Sequence, residues 1–286
     1  MTQIELIDHA VVIPLYGEDS FVPPFLAYLH ELINSGLMVV LVDNNPEGLL
    51  GTELVPAGCQ LLANRNRGGI AGGLNRGVAW ARQAGARFLT LLDQDSRIPA
   101  EQMVLLREPL EREPLRPLVV GPSIWDAQRG RRHGRFNRTG GHLDATRLLI
   151  SSGTTFRSDD WPLLGALHED LCIDFVDHAW CFRAQTRGFE LGQHAAVVLQ
   201  QQFGTVHPNP VCRLLGLQLY SPERHYYGLR NLRWLSRQPY VPLDLKLKEW
   251  LKMLLKPWLW LLCEPRRKDN LRAIARALVA PLPGPY

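Results

Sequence analysis

The sequence predicts an α/β fold: a mainly parallel central sheet, a mixed second half, and basic amphipathic helices at the carboxyl end. Three observations lead there. Short unbroken apolar runs alternate with stretches of helical periodicity over the first 120 residues. Beyond about residue 117 that alternation loosens. The segment 241–286 holds nine Lys or Arg against four Asp or Glu, which more than accounts for the chain's net charge of +4. The expected organisation is therefore one large domain in two halves, 1–120 and 121–240, followed by a helical segment, 241–286.

Taken in order, AVVIPLY (10–16) reads as the first strand and is followed by a helix near 22–35. LMVVLVD (37–43), CQLLAN (59–64), a helix near 70–84 and FLTLLD (88–93) continue a βαβ rhythm. Runs this short and this continuously apolar are expected to be buried on both faces. Their polar terminal residues, Asp43, Asn64 and Asp93, should then collect on one rim, where open α/β sheets bind ligands. LVVGPSIW (118–125), LLISSGTTF (148–156) and a helical segment near 174–187 follow. Between them RGRRHGRFNRTGGH (129–142) reads as a solvated loop, with anion binding as the alternative. A further helix opens at Pro222.

In the tail, Leu247, Trp250, Leu251, Leu254, Leu255, Trp258, Leu259 and Leu262 recur at helical spacing beside Lys248, Lys252 and Lys256. The stripe reads as an interfacial helix on an anionic membrane surface; docking on its own domain is the alternative. Pro257 is expected to divide it into two helices, because its ring removes a backbone donor and clashes with the carbonyl of Met253.

Composition narrows the classes. The five cysteines are scattered and never spaced Cys-x-x-Cys, which argues against a disulfide framework or a zinc site and fits a reducing cytosol. MTQIELIDHAVVIPLY reads as a buried strand rather than a secretory leader, and no uncharged run approaches the roughly 20 residues a membrane span needs. The expected location is cytoplasmic, peripheral at the inner face of the membrane. Nucleic acid is not an expected partner, since the basic excess is confined to an aliphatic tail without a binding motif.

The chemistry begins at 88–96, where FLTLLDQDS empties Asp93 and Asp95 onto the carboxyl end of a strand. An Asp-x-Asp there can hold a divalent cation through hard oxygens, and the cation can neutralise the diphosphate of a nucleotide-activated substrate. The alternative is a solvated turn in which Ser96 caps the helix announced by Pro99. Asp43 can accept hydrogen bonds from a nucleobase or ribose, or cap a turn with Asn44 and Pro46. The small residues Gly68 to Gly73 can let a ligand approach the backbone, with Arg65 and Arg67 as candidate charges; no Gly-Lys-Ser/Thr follows, so this is not a Walker loop.

VVIPLYGEDS (11–20), VDNN (42–45), NRNRGGIAGGLNRG (64–77), LLDQDS (91–96) and IDFVDHAWCFRA (173–184) occur in an order that resembles the family 2 glycosyltransferases of GT-A fold. ISSGTTF (150–156), HEDLCIDFVD (168–177) and SPERHYYGLRN (221–231) make the resemblance closer to their bacterial rhamnosyltransferase branch, over roughly residues 10–237.

That resemblance implies an inverting transfer of L-rhamnose from dTDP-L-rhamnose to a lipid-linked surface-polysaccharide intermediate of the O-antigen kind. It implies Asp177 as catalytic base, with a helix N-cap as the residue's alternative role. For the donor it implies Pro14, Tyr16, Asp43, Asn66, Gly69, Asn75, Asp93 and Gln94. For acceptor or phosphate it implies Ser152, Gly153, Trp180, Arg183, Tyr227 and Arg230, and for a magnesium or manganese ion Asp95, Gln201 and His207. Gln201 stands where the family commonly has His, and Ala179 where it commonly has an acidic residue. Two alternatives stay open: a UDP-galactose or UDP-galactofuranose donor, and a nucleotide-sugar-binding protein that has lost turnover.

Overall fold

Seven consecutive buried residues make β1 (His9–Leu15) the spine of the fold, because a strand apolar at every position can sit only where both faces are covered. The structure is a computed structural model that describes residues 8–17, 21–48, 52–126, 130–133, 143–201, 205–206, 213 and 218–284. After β1 come α1 (Pro23–Asn34), β2 (Met38–Asp43), β3 (Cys59–Ala63), α2 (Gly69–Gln83), β4 (Phe88–Leu91), α3 (Ala100–Arg112) and β5 (Leu118–Asp126). The second half adds β6 (Arg131–His133), β7 (Leu143–Ala145), β8 (Thr155–Arg157), α4 (Trp161–Leu164), α5 (Val176–Thr186), β9 (Glu190–Gln201), β10 (Thr205–Val206), β11 (Gln218–Leu219) and α6 (Pro222–Leu235). Two helices close the chain, α7 (Leu243–Cys263) and α8 (Arg267–Val279).

The main sheet has the order β3-β2-β1-β4-β8-β5-β9-β7, with β6 paired to β5. β1 pairs in parallel with β2 on one side and β4 on the other, so the chain reverses its direction of travel across the sheet between them. This is the switch point at which the carboxyl ends of strands leave a crevice. β8 runs antiparallel to both β4 and β5, whereas β5 and β9 are parallel, which gives the mixed second half. Side chains alternate across β1: Ala10 and Val12 pack with Leu74 and Val78 of α2, while Val11, Ile13 and Leu15 pack with α1 and α3.

Three expectations change. β3 is an edge strand and only half-buried, because among the described residues no strand pairs with its outer side. Arg131–His133 of the Arg-rich stretch forms β6, a short hairpin partner of β5, while 134–142 lie outside the described residues. Pro257 does not divide the tail helix: α7 runs through it, and the break falls at Glu264, just before Pro265. Losing one main-chain donor is tolerated here because Met253 and Trp260, one on either side, are both anchored in the same small core with Leu229 and Leu232 of α6. His225 adds a polar tie, its Nε2 2.9 Å from Glu264 Oε2 and its ring stacked 3.9 Å from that of Trp260.

The outward side of α7 is apolar. Leu245, Glu249, Met253 and Trp260 face the body, whereas Leu247, Leu251, Leu254, Leu255, Trp258 and Leu262 are each between 62% and 67% exposed. Lys252 pairs with the buried Glu249 at 2.5 Å, and burial lowers the Lys256 ammonium below its usual range. Those six residues are therefore not docked on the domain, whereas Trp250 of the same stripe donates to the Ser236 hydroxyl at 2.6 Å and Leu259 is half-buried. No helix among the described residues is long and apolar enough to cross a membrane.

Close packing of α2 on the sheet rests on Gly77, where a Cβ would stand 2.2 Å from Val12 Cγ1 and 3.1 Å from Val42 Cγ2. Gly77→Ala is expected to lower stability by about 2 kcal/mol through overpacking, measured by urea unfolding. An unchanged midpoint would mean that α2 can lift from β1 freely.

Candidate active site

The polar tips of β2 and β3 are tied together before any ligand arrives. Asp43 Oδ1 accepts from the backbone and side-chain amides of Asn45 at 3.0 and 2.9 Å, the turn that Asp-Asn-Asn favours. Asn64 Nδ2 donates to Asn44 Oδ1 at 2.6 Å, and Asn44 Nδ2 donates to the Gly69 carbonyl at 2.9 Å. Above this rim opens a cavity of about 590 Å³, lined on one side by Pro14, Tyr16, Asn44, Asn66 and Gly69. Its other side is Cys172, Ile173, Tyr220, Arg224 and Tyr227, from the second half of the chain. Burial, with a hydrogen bond to Cys172, pushes the Tyr227 hydroxyl up to about 12.

Three carboxylates meet beside it. Burial raises Asp93 to about 7, helped by the charges of Asp177 and then Asp95, so both lie within electrostatic reach of it. Burial also raises Asp177, to about 6, against hydrogen bonds from the backbone and hydroxyl of Ser151. Ser152, the next residue, accepts from the backbone N–H of Asp93 at 3.2 Å. The Ser-Ser turn thus holds both acids from one loop. Asp177 is the second residue of α5 and not its N-cap; Phe175 holds that position. Gln94 Oε1 accepts from the Tyr16 backbone at 2.7 Å and joins the acidic turn to the cavity's edge.

The glycine run serves the chain's own packing. A Cβ on Gly69 would lie 2.5 Å from the Cys172 carbonyl oxygen, and one on Gly68 2.6 Å from Glu169 Cβ. Two of the amides leading α2 are occupied, Gly69 N–H by the Asn66 carbonyl and Ile70 N–H by that of Cys172. Cys172, Asp174 and Phe175 all adopt positive φ, a costly state for residues with side chains. Asn231, fully buried on α6, restrains them by donating to the carbonyls of Leu171, Ile173 and Asp174 at 2.8, 2.7 and 3.0 Å. Arg230 donates to Asn231 Oδ1 and to the Asp170 carbonyl, which orients that amide.

Several residues expected at the site have other partners. Asn75 joins α2 to the Leu167 backbone and Glu169. Trp180 is buried, donating to the Gly165 carbonyl at 2.8 Å and packing on Phe156. Arg183, also buried, donates to the carbonyls of Leu164 and Ala166, so it braces a turn. Gly153 is the positive-φ residue of the Ser-Ser turn, where only glycine clears Pro122. Ser96 does not cap α3; its hydroxyl donates to Gln201 Oε1 at 3.2 Å. Arg65 and Arg67 are exposed and do not line the cavity.

Asp95 and Gln201 line a second hollow of about 590 Å³, and Asp95, Gln94 and Tyr16 line a third that leads back towards the cavity. Among the described residues no group of three His, Cys, Asp or Glu gathers as a metal site, and His207 lies outside them. Asp95 and the Gln201 amide oxygen, which share a hollow, are hard donors of the kind that suit a divalent ion whose remaining ligands come from a diphosphate or water. Sequence reasoning missed Ser151 and Arg224. Both stand in motifs it quoted, ISSGTTF and SPERHYY, but neither has a partner close in the chain to reveal its role.

The model of the family described as Glycosyl transferase family 2 matches residues 10–165. The dTDP-rhamnosyl transferase RfbF of Shigella flexneri is 28% identical over 236 residues, covering 78% of this chain and 78% of its own. Among solved structures, GalNAc-T7 with UDP, GalNAc and Mn2+ aligns at TM-score 0.57 and 15% identity, over 98% of this chain and 59% of that one. S. aureus TarS 1-349 in complex with UDP-GlcNAc aligns at 0.52 and 15%, over 95% and 80% respectively. This chain spans 43% of the longer TarS chain. At these identities the structural likenesses show the fold alone. Because the family match takes in more than half of the residues, among them the Asp93–Asp95 turn, the chain belongs to the family 2 glycosyltransferases of GT-A fold.

Proposed function

We propose that the protein transfers L-rhamnose from dTDP-L-rhamnose, with inversion, to a lipid-linked glycan at the cytoplasmic face of the membrane. The observation that carries this reading is that buried Asp93 feels the charges of both Asp177 and Asp95, and that Asp95 shares a hollow with Tyr16 of a cavity of nucleotide-sugar size. The likeness to a dTDP-rhamnosyl transferase supports the donor.

In this reading Asp177 accepts the proton of the acceptor hydroxyl as that oxygen bonds to C1 of the sugar and the bond from C1 to the diphosphate oxygen breaks. Attack from the side opposite the leaving group inverts C1. With its carboxyl at about 6, Asp177 is ionised at neutral pH yet basic enough to take a proton, and Ser151 aims it. A magnesium or manganese ion would be held by Asp95 and Asp93, with the Gln201 amide oxygen as a further ligand if Ser96 releases it. When bound, such an ion would supply positive charge for the departing diphosphate. The outward apolar face of α7 supports peripheral attachment, which would bring the acid rim to a membrane-bound acceptor.

Asp177→Asn is expected to lower transfer from dTDP-L-rhamnose roughly a thousandfold while the protein still binds dTDP. The wild-type rate should fall as pH drops through about 6, where the base protonates. Equal turnover by the variant, or use of UDP-galactose or UDP-galactofuranose in preference, would overturn the reading.

Asp93 gives a stability test. Its folded-state carboxyl, raised to about 7, binds a proton more tightly than in the unfolded chain, so its contribution is full below about pH 4 and lost as pH rises through 7. In metal-free buffer Asp93→Asn should therefore melt above wild type at pH 8, the gap closing towards pH 4. For the membrane, Leu254→Glu with Trp258→Glu should abolish co-sedimentation with phosphatidylglycerol vesicles. Undiminished binding would remove α7 from that role.

A further inference from the structure

A donor diphosphate brings two or more negative charges to a rim that already holds three carboxylates. Two of the amides leading α2, which a diphosphate would otherwise use, those of Gly69 and Ile70, are taken by the carbonyls of Asn66 and Cys172. Among the described residues that line the cavity between Pro14 and Tyr227, Arg224 is the single cation, Arg97 lying in the two neighbouring hollows with Asp95. It sits in the first turn of α6, where its backbone N–H is received by the capping hydroxyl of Ser221 at 3.2 Å. Its guanidinium lies 4.6 Å from the centre of the Tyr220 ring, which holds it flat. Nε and Nη2 both donate to one oxygen, Asp174 Oδ1, at 3.3 and 3.1 Å, and the fork keeps further N–H donors for a ligand.

Asp174 belongs to the positive-φ segment gripped by Asn231, three residues before Asp177. One guanidinium thus spans the donor cavity and the loop that presents the base.

We propose that Arg224 binds the diphosphate of the nucleotide donor and that Asp174 is the positioning residue that aims it. An Arg fork suits this because it matches phosphate oxygens in pairs and stays charged beside acids. The inference rests on the nucleotide-sugar reading and adds to it the residue that carries the leaving group's charge.

Affinities for dTDP, dTMP and thymidine, measured in EDTA by calorimetry with ligand-observed NMR for the weakest, test it. Arg224→Gln is expected to weaken dTDP roughly tenfold to a hundredfold, the range of a charged hydrogen bond, while thymidine is unchanged. Arg224→Lys should keep part of the dTDP affinity, and Asp174→Asn should lose part of it with thymidine again unaffected. Melting curves show that each variant is folded. If Arg224→Gln binds dTDP as the wild type does, or loses thymidine as much as dTDP, the proposal fails and the glycosyl-transfer reading stands. If wild type binds none of the three, nor UDP, either in EDTA or with magnesium or manganese present, the donor reading itself fails and takes this proposal with it.

Discussion

The buried amide of Asn231 donates to three carbonyls of one short segment, and most of the site depends on that grip. The segment carries Cys172, Asp174 and Phe175 at positive φ, each of order 1 kcal/mol unfavourable, so it would relax if it were free. It is held from one side by Asn231, whose own oxygen is fixed by Arg230, and from the other by α2, which meets it where glycine leaves room. From this clamped segment the chain enters α5 and delivers Asp177. The same segment supplies Cys172 and Ile173 to the cavity wall and Asp174 to Arg224. Wall, base and guanidinium are thus set by one constraint, and a change in any partner is transmitted to the others through a stiff loop.

The second organising fact is an excess of negative charge. Asp93 and Asp177 are both raised by burial, and Asp93 further by its acidic neighbours. In the proposed reading this condition favours a bound cation and leaves Asp177 basic enough for proton transfer. It also explains why the acids are on rigid ground: Asp93 is fixed through Ser152 and Asp177 through Ser151, so repulsion cannot simply push them apart.

The tail shows how a periodic pattern can be right and its usual meaning wrong. Leucines at helical spacing normally face a core, yet in α7 the body-facing side is Leu245, Glu249, Met253 and Trp260, and the leucine-rich side faces out. Periodicity says that a helix has two faces but not which one meets the domain. Pro257 illustrates the same limit, since local sterics argued for a break that two buried anchors override.

From the chain alone, the parallel strand–helix rhythm, the rim that gathers Asp43, Asn64 and Asp93, the pairing of Asp93 with Asp95, and Asp177 at the head of a helix were all legible. Each of these follows from order along the chain: strand ends share a rim because parallel strands all point one way, and short-range spacing fixes which residues lie at those ends. What only the tertiary structure decided was which partner each polar group takes. Asn75, Trp180 and Arg183 look like ligand-binding residues in sequence but are satisfied by carbonyls of the 164–167 stretch. Ser151 and Arg224 look ordinary but meet Asp177 and Asp174. Hydrogen bonds and charge pairs act over a few ångströms in space, and residues 26 or 50 positions apart come within that range only once the chain has folded.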